Sequence, residues 1–278
     1  MTAPSAPLPA DGRRLVGVFD SGLGGLSVLS AIHKTLPAAP LRYVADSRHA
    51  PYGERTDAFI TERTLAVGRG LVEAGAALVV VACNTATTVA VAALRAAWPD
   101  VPVVGVEPGL KPAVATSASG RVGVMATPGT LRSTKFTQLL ATHRGAAEVV
   151  LQPCPGLAGL IEQGDLDAPA MVDLVGAFCA PLRAARVDTV VLGCTHYAFV
   201  RHHIQAAMGP DVTLVDTAWP VARQVARLWG GAPSEPNPSK PTPAAPVQLR
   251  TTGDTALLRE VARRWLDFPC EVAETPVV

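Results

Sequence analysis

The sequence predicts an α/β fold in which two similar, doubly wound parallel-sheet domains face each other with pseudo-twofold symmetry across a shared cleft. Three observations predict it. Short apolar, β-branched runs alternate with helical stretches, a set of motifs recurs once, and a cysteine ends a strand at the same place in both copies. Short apolar strands that alternate with helices are typical of parallel sheets buried on both faces.

The elements follow from these runs in chain order. The predicted strands are Leu15–Asp20, Leu41–Asp46, Ala77–Cys83, Val101–Val106, Arg121–Ala126, Glu148–Gln152, Thr189–Cys194, Val212–Asp216, Val247–Arg250 and Cys270–Glu274. The predicted helices are Gly25–Leu36, Asp57–Ala74, Thr85–Trp98, Gly129–Ala141, Ala168–Ala184, Tyr197–Ala207 and Thr255–Trp265. Helices of this length between parallel strands give βα units.

The repeat relates the two halves of the chain. Val16–Val18 recurs as Val122–Val124, and Val79–Thr85 recurs in outline as Thr189–His196, with offsets of roughly 105 to 111 residues. Any α/β protein repeats βα units, but here the rarest residue involved, cysteine, occupies the carboxyl end of a strand in both copies. The predicted division of the chain is a discontinuous first domain (14–105 plus 217–278), a second domain (106–216), a flexible N-terminal tail (1–13) and a Pro-rich linker (231–246).

Composition excludes several classes of function. The chain has 278 residues with a formal net charge of +1, so no broad electrostatic field attracts nucleic acid or an anionic membrane, and neither is expected as a partner. The first dozen residues lack the features of a signal peptide, and the longest apolar run, Ala76–Cys83, is too short to span a bilayer. We therefore expect a cytoplasmic protein. The oligomeric state stays open, with a homodimer as one option.

The five cysteines form neither a disulfide framework nor a zinc knuckle, because their number is odd and no two share a C-x-x-C spacing. Buried free cysteine is usually a small hydrophobic residue, and we interpret Cys154, Cys179 and Cys270 in this way. Cys83 and Cys194 differ, because each lies where a strand gives way to a helix. We expect the helix N-terminus there to lower the thiol pKa.

Polar residues cluster where the strands end, which is where open α/β sheets bind ligands. The set comprises Asp20, Ser21, Asp46, Ser47, Pro51, Tyr52, Gly53, Asn84, Thr85, Thr127, Thr130, Thr195 and His196, with Glu162 in the segment "LAGLIEQGD". The glycines after the first strand read G-x-G-G, not the dinucleotide pattern G-x-G-x-x-G. We expect them to let the backbone pass close to a small ligand, and a structural tight turn is the alternative.

Two thiols supplied by two similar halves suit one reaction in particular. Inverting a tetrahedral carbon through a carbanion needs a base on one face and an acid on the other, and the two groups exchange roles in the reverse direction. Asp20 is placed to tune Cys83, and His196 and Glu162 are placed to tune Cys194. Pyridoxal phosphate chemistry needs a Schiff-base lysine, and none of the four lysines ends a strand. No cofactor or metal is expected.

The motifs "FDSGLGGLSV", "ADSRHAPYG", "VVACNTATT", "MATPGT" and "LGCTHY", in this order and spacing, resemble the aspartate/glutamate racemase family, and its glutamate branch in particular. The resemblance spans roughly residues 15–230. It implies cofactor-free racemisation of glutamate for bacterial peptidoglycan synthesis, with Cys83 taking the α-proton of D-glutamate and Cys194 that of L-glutamate. It also implies substrate contacts from Asp20, Ser21, Tyr52, Gly53, Asn84, Thr85, Thr127, Thr130, Thr195 and His196, and an auxiliary acid at Glu162.

Two other functions remain open from the residues. The first is a racemase or decarboxylase of the same superfamily that acts on aspartate or a substituted malonate, which would keep the cysteines and alter the pocket around Tyr52 and Thr127. The second is a non-catalytic module that binds an amino acid in the same cleft. Such a module has no use for two cysteines at strand ends, which favours an enzyme.

Overall fold

The structure is a computed structural model that describes residues 15–230 and 245–275. The predicted N-terminal tail (1–13) and nearly all of the predicted linker (231–246) lie outside the described residues. Within the described ranges, no helix is both long and apolar enough to cross a membrane.

Ten strands are present in the described part of the chain, and their positions agree with the predicted runs to within a few residues. They are β1 (Leu15–Asp20), β2 (Leu41–Ala45), β3 (Ala76–Val81), β4 (Val103–Gly105), β5 (Arg121–Ala126), β6 (Glu148–Pro153), β7 (Thr189–Leu192), β8 (Thr213–Val215), β9 (Val247–Thr251) and β10 (Glu271–Glu274). β3 is buried along its whole length, as a continuous apolar run in a central parallel strand requires.

The strands form two parallel sheets whose order repeats. The larger sheet has the order β10-β9-β2-β1-β3-β4, and the smaller has the order β6-β5-β7-β8. Within residues 15–230 and 245–275, all eight pairings between strands are parallel. If β1–β4 of the first half and β5–β8 of the second half are each numbered 1 to 4, both sheets have the strand order 2-1-3-4. This confirms the predicted fold class and the repeat, while the exact domain boundaries stay a prediction.

The helices cover the faces of the two sheets. They are α1 (Leu26–Thr35), α2 (Asp57–Glu73), α3 (Asn84–Ala97), α4 (Leu110–Thr116), α5 (Pro128–Arg132), α6 (Thr134–His143), α7 (Leu157–Glu162), α8 (Pro169–Ala184), α9 (Arg201–Met208), α10 (Ala218–Trp229) and α11 (Thr255–Trp265). The described residues also contain three 3₁₀ turns, at Ser47–His49, Tyr52–Glu54 and Thr195–Ala198. α4, α7 and α10 were not predicted from the sequence.

Two predicted helices are divided in the structure. The stretch 129–141 is α5 followed by α6, because Ser133 is extended (φ −67°, ψ 142°) and its hydroxyl accepts from Phe136 N at 3.1 Å, which starts a new helix. The stretch 197–207 is a 3₁₀ turn followed by α9. The two cysteines also lie just beyond strands β3 and β7, not inside them as predicted, and Cys83 is the N-cap residue of α3.

The C-terminal segment extends the larger sheet. β9 pairs with β2 from Leu41↔Val247 to Ala45↔Thr251, and β10 pairs with β9 at the outer edge. β2 is therefore an interior strand only because β9, about 200 residues later in the chain, lies beside it. The loop that follows β2 leads to the predicted site.

Candidate active site

Asp20 and Ser21, at the end of β1, connect a buried carboxylate to the thiol of Cys83. The Asp20 carboxylate accepts from the backbone N–H of Ser21 at 2.7 Å and from that of Gly25. Ser21 Oγ lies 3.3 Å from Asp20 Oδ1 and 3.4 Å from Cys83 Sγ. A short chain of polar groups, from carboxylate to hydroxyl to thiol, thus lies at the carboxyl ends of the inner strands β1 and β3.

The surroundings of Cys83 favour its neutral thiol form. Burial raises its pKa well above the usual range, and the negative charge of Asp20 raises it further. Hydrogen bonds from Ser21 and from the backbone N–H of Ala86, at 3.4 Å, act in the opposite direction but do not offset these effects. The helix N-terminus therefore acts on Cys83 in the predicted direction, but the predicted net lowering of the pKa is wrong, because desolvation outweighs the helix.

Cys194 occupies the equivalent position beyond β7, beside a histidine and a second carboxylate. Its Sγ lies 3.6 Å from His196 Nδ1, and His196 Nε2 contacts Glu162 Oε1. Burial alone lowers the pKa of His196, but its bonds with Cys194 and Glu162 outweigh that effect, so the pKa is raised well above the usual value. A protonated imidazole is therefore favoured between the sulfur and the carboxylate.

The glycine loop after β1 packs directly against this second group. The backbone N–H of Leu23 donates to Glu162 Oε1 at 2.6 Å. A Cβ atom on Gly22 would lie 2.0 Å from Glu162 Oε1, and one on Gly24 would lie 2.4 Å from His196 Nδ1. Gly22 and Gly24 are thus required because Glu162 and His196 of the other half leave no room for a side chain. That the glycine backbone also passes close to a small ligand stays a prediction.

Three threonine hydroxyls join the two halves on another side of the site. Thr85 Oγ1, in the first turn of α3, lies 3.1 Å from Thr127 Oγ1 and 3.3 Å from Thr130 Oγ1. Thr127 caps α5 by accepting from Thr130 N at 3.2 Å. All three are buried. Gly53 fits against Thr127, since a Cβ atom there would lie 2.7 Å from Thr127 Cβ.

Asn84 has an unused acceptor. Its Nδ2 donates to Val106 O at 3.3 Å, whereas its buried Oδ1 has no partner in the described part of the chain. A buried amide oxygen without a donor costs free energy, which a bound ammonium or hydroxyl group can offset. The side chain is therefore suited to a ligand that brings a donor.

Asp46 is the centre of a network that the sequence did not reveal. Its carboxylate accepts from two hydroxyls, Tyr52 Oη at 2.6 Å and Thr252 Oγ1 at 2.9 Å. It also accepts from Arg63 Nε at 3.0 Å and Nη2 at 3.1 Å, and it lies 3.0 Å from His49 Nδ1. Burial raises its pKa, but these bonds outweigh burial and lower it. The proton of the Tyr52 hydroxyl is thus committed to Asp46, so this hydroxyl can meet a ligand only as an acceptor.

The polar residues that the sequence predicted for the site lie at the carboxyl ends of the strands in both sheets. Pro51 and Gly53 line a small cavity together with Thr127 and Cys154. Thr195 is buried next to His196, and its carbonyl oxygen lies 3.4 Å from Ser27 Oγ. Arg63 and Thr252 were missed, because an arginine inside α2 and a threonine after β9 carry no local signal of a site.

Known proteins are similar to this chain in sequence over most of its length. The family model "Asp/Glu/Hydantoin racemase" matches residues 16–225. A glutamate racemase from Ralstonia pickettii (strain 12J) is 51% identical over 88% of this chain and 85% of that protein. One from Pseudomonas syringae pv. tomato is 52% identical over 77% of this chain and 78% of that protein.

Solved structures give the same result. A glutamate racemase isoform from Bacillus anthracis has a TM-score of 0.84 at 30% identity and covers 95% of this chain and 98% of that chain. The Escherichia coli glutamate racemase, solved with L-glutamate and the activator UDP-MurNAc-ala, has a TM-score of 0.82 at 33% identity and covers 96% of this chain and 99% of that chain. On the family match, the identities and the shared fold, the chain belongs to the Asp/Glu/hydantoin racemase family and is an isomerase, an amino-acid racemase.

Proposed function

We propose that the chain interconverts L- and D-glutamate by proton transfer at Cα between Cys83 and Cys194, without a cofactor or metal. One observation carries the proposal. The two sulfurs lie beyond equivalent strands of the two halves, and each contacts a separate polar relay that ends in a carboxylate, Ser21–Asp20 for one and His196–Glu162 for the other. Racemisation by two bases needs such a pair, one group for each face of the carbanion.

The two relays place different charges beside the two sulfurs. The raised pKa of Cys83 keeps it protonated before substrate binds, so it begins as an acid. The imidazolium of His196, 3.6 Å from Cys194 Sγ, is a charge partner for a thiolate there. For L-glutamate we therefore assign removal of the α-proton to Cys194 and delivery of a proton to the opposite face to Cys83.

The reverse direction requires Cys83 to lose its proton. Burial raises the pKa of the Asp20 carboxyl, which makes it a better proton acceptor, and Ser21 connects it to the sulfur. The α-ammonium group of a bound amino acid adds a positive charge that favours the thiolate. Deprotonation of Cys83 is thus expected to accompany substrate binding.

Glutamate as substrate follows from the relatives together with the pocket. The named relatives are glutamate racemases, and the Escherichia coli structure was solved with L-glutamate. The hydroxyls of Thr85, Thr127 and Thr130 and the unpartnered oxygen of Asn84 supply donors and an acceptor for its charged ends. We further propose that the product serves bacterial peptidoglycan synthesis in the cytoplasm.

Circular dichroism of L-glutamate incubated with the purified protein tests the activity. The protein is first dialysed against a chelator and treated with a carbonyl reagent, and we expect the signal to decay to zero as D-glutamate forms. Loss of activity that added metal or pyridoxal phosphate restores would contradict the mechanism.

Serine variants test the two bases. Cys83→Ser and Cys194→Ser should each lower racemisation by orders of magnitude, because a hydroxyl is a far weaker base than a thiolate near neutral pH. Cys270→Ser, which is only partly buried and lies in the C-terminal segment, is the matched control and should retain the rate. Near-normal activity of either active-site variant would rule out the pair.

A further inference from the structure

Three metal-ligating side chains converge on the surface of the second half, away from the cysteines. Asp167 Oδ1 lies 3.3 Å from His202 Nε2 and 3.1 Å from His203 Nε2. The three donor atoms all lie within 4.8 Å of one another, and among the described residues this is the one such group of His, Cys, Asp and Glu side chains. No step of racemisation uses them.

The two separations between Asp167 and the histidines suit a tetrahedral ion. Zn²⁺ binds histidine nitrogen and carboxylate oxygen at about 2.0–2.2 Å, so two of its ligand atoms in a tetrahedron lie about 3.3–3.5 Å apart. The 3.1 and 3.3 Å separations around Asp167 are within a few tenths of an ångström of that value. Two imidazoles and one carboxylate favour Zn²⁺, Co²⁺ or Ni²⁺ over Mg²⁺ and Ca²⁺, which prefer oxygen ligands.

The hydrogen bonds of this group are crowded without an ion. His203 Nε2 faces two acceptors, Leu166 O at 3.0 Å and Asp167 Oδ1 at 3.1 Å, although a ring nitrogen carries one proton at most. His202 Nε2 faces the same Asp167 oxygen. A cation at the point where these atoms converge would take both ring nitrogens and the carboxylate as ligands, at the expense of the bond from His203 to Leu166 O.

Solvent can reach the position. The side chains of Asp167 and His202 are 84% and 57% exposed, and both line a cavity of about 570 Å³ that reaches α11 at Leu257 and Trp265. An ion therefore has an entry path and room for water as a fourth ligand.

We propose that Asp167, His202 and His203 bind a divalent transition-metal ion of the zinc type, with water in the remaining position. The site connects two segments that lead from the active site. Asp167 follows α7, which ends at Glu162, and the two histidines begin α9, which follows the turn containing His196. A bound ion thus cross-links the segments that carry the Glu162–His196 contact and stabilises them without joining the chemistry.

Titration of the full-length, untagged, metal-free protein with Co²⁺ tests the proposal. Binding is followed by calorimetry and by the visible absorption bands of Co²⁺. Asp167→Asn and His202→Gln should each weaken binding at least tenfold. His143→Gln, a histidine on α6 outside the group, is the matched control and should bind as the unaltered protein does. At one hundred times Kd, Zn²⁺ should raise Tm by about 5 °C in the unaltered protein and in the control, and in neither site variant.

Three results would overturn the site. They are no Co²⁺ binding below millimolar concentration, equal affinity in the variants and the control, and a thiolate-to-cobalt charge-transfer band, which would place the ion on the active-site cysteines instead. Because Asp167 and His202 are exposed, their variants should fold, and an unchanged racemisation rate in the absence of metal confirms that they do.

Discussion

Replacing Gly24 by alanine should lower kcat/KM for racemisation about 100-fold while leaving the protein folded. The new Cβ atom would lie 2.4 Å from His196 Nδ1, whereas ordinary contact begins near 3.4 Å, so the imidazole must move by about 1 Å. The ring is buried and held between Glu162 and Cys194, so the movement lengthens at least one of those contacts. Misplacing a reacting group by about 1 Å costs about 10²-fold in rate, or about 2.7 kcal/mol of transition-state stabilisation.

Initial rates from L- and from D-glutamate, followed by circular dichroism, measure the effect. The two enantiomers have equal free energies, so kcat/KM must fall by the same factor in both directions, and each direction checks the other. Gly70→Ala is the matched control. Gly70 lies in α2 with nothing within 4 Å of the added methyl group, and alanine there should stabilise the helix by up to about 1 kcal/mol at unchanged activity.

One result would refute the reasoning. If Gly24→Ala keeps nearly full kcat/KM with an unchanged Tm, then either the loop moves aside freely or the position of His196 does not matter for proton transfer. Both outcomes contradict a relay held in place by the opposite half.

Three further predictions concern the proton, the substrate and acid stability. In deuterated water, the D-glutamate that first forms from L-glutamate should carry deuterium at Cα, while unreacted L-glutamate stays protiated. Mass spectrometry of the separated enantiomers at low conversion measures this. An unlabelled product would mean that a single base acts on both faces. Aspartate at equal concentration should be turned over hardly at all, because its shorter chain leaves polar groups of the pocket unpaired, and preference for aspartate in the same assay would reassign the substrate. Burial acts to raise the pKa of Asp188, but bonds from Ser117 Oγ at 2.5 Å and Ser119 N at 2.6 Å outweigh it and lower the pKa to about 2. The ionised Asp188 carboxylate stabilises the folded state by about 1 kcal/mol after allowance for solvent, and this contribution is present above about pH 4 and lost as the pH falls through 2. Asp188→Asn should therefore reduce the difference between the free energies of unfolding measured in urea at about pH 6 and pH 3. An unchanged difference would contradict this.

The strands could be predicted because their signal is local. An apolar run such as the one that forms β3 is buried on both faces in any parallel sheet, and the recurrence of a cysteine after it pointed to β7. The division between α5 and α6 was missed because it depends on the conformation of one residue, Ser133, inside an otherwise helical pattern.

The composition of the candidate site was predictable, but its electrostatics were not. Position at a strand end indicated Asp20, Cys83 and His196 from the sequence alone. The raised pKa of Cys83 arises from burial and from the distance to Asp20, and a sequence contains neither quantity. The contact of Asp46 with Thr252 joins residues 206 positions apart, and no local pattern indicates such a pair.

The place of β9 beside β2 has a consequence for how the protein is made. On the ribosome, Cys194 is synthesised roughly 60 residues before Thr252, which at 5–20 residues per second is an interval of about 3 to 12 s. During that interval both cysteines exist, but β2 is an open edge and Asp46 lacks the hydroxyl that helps to hold the loop containing Tyr52. An unpaired edge strand can join a strand of another chain, so the nascent protein is most prone to aggregation just before β9 emerges and activity becomes possible.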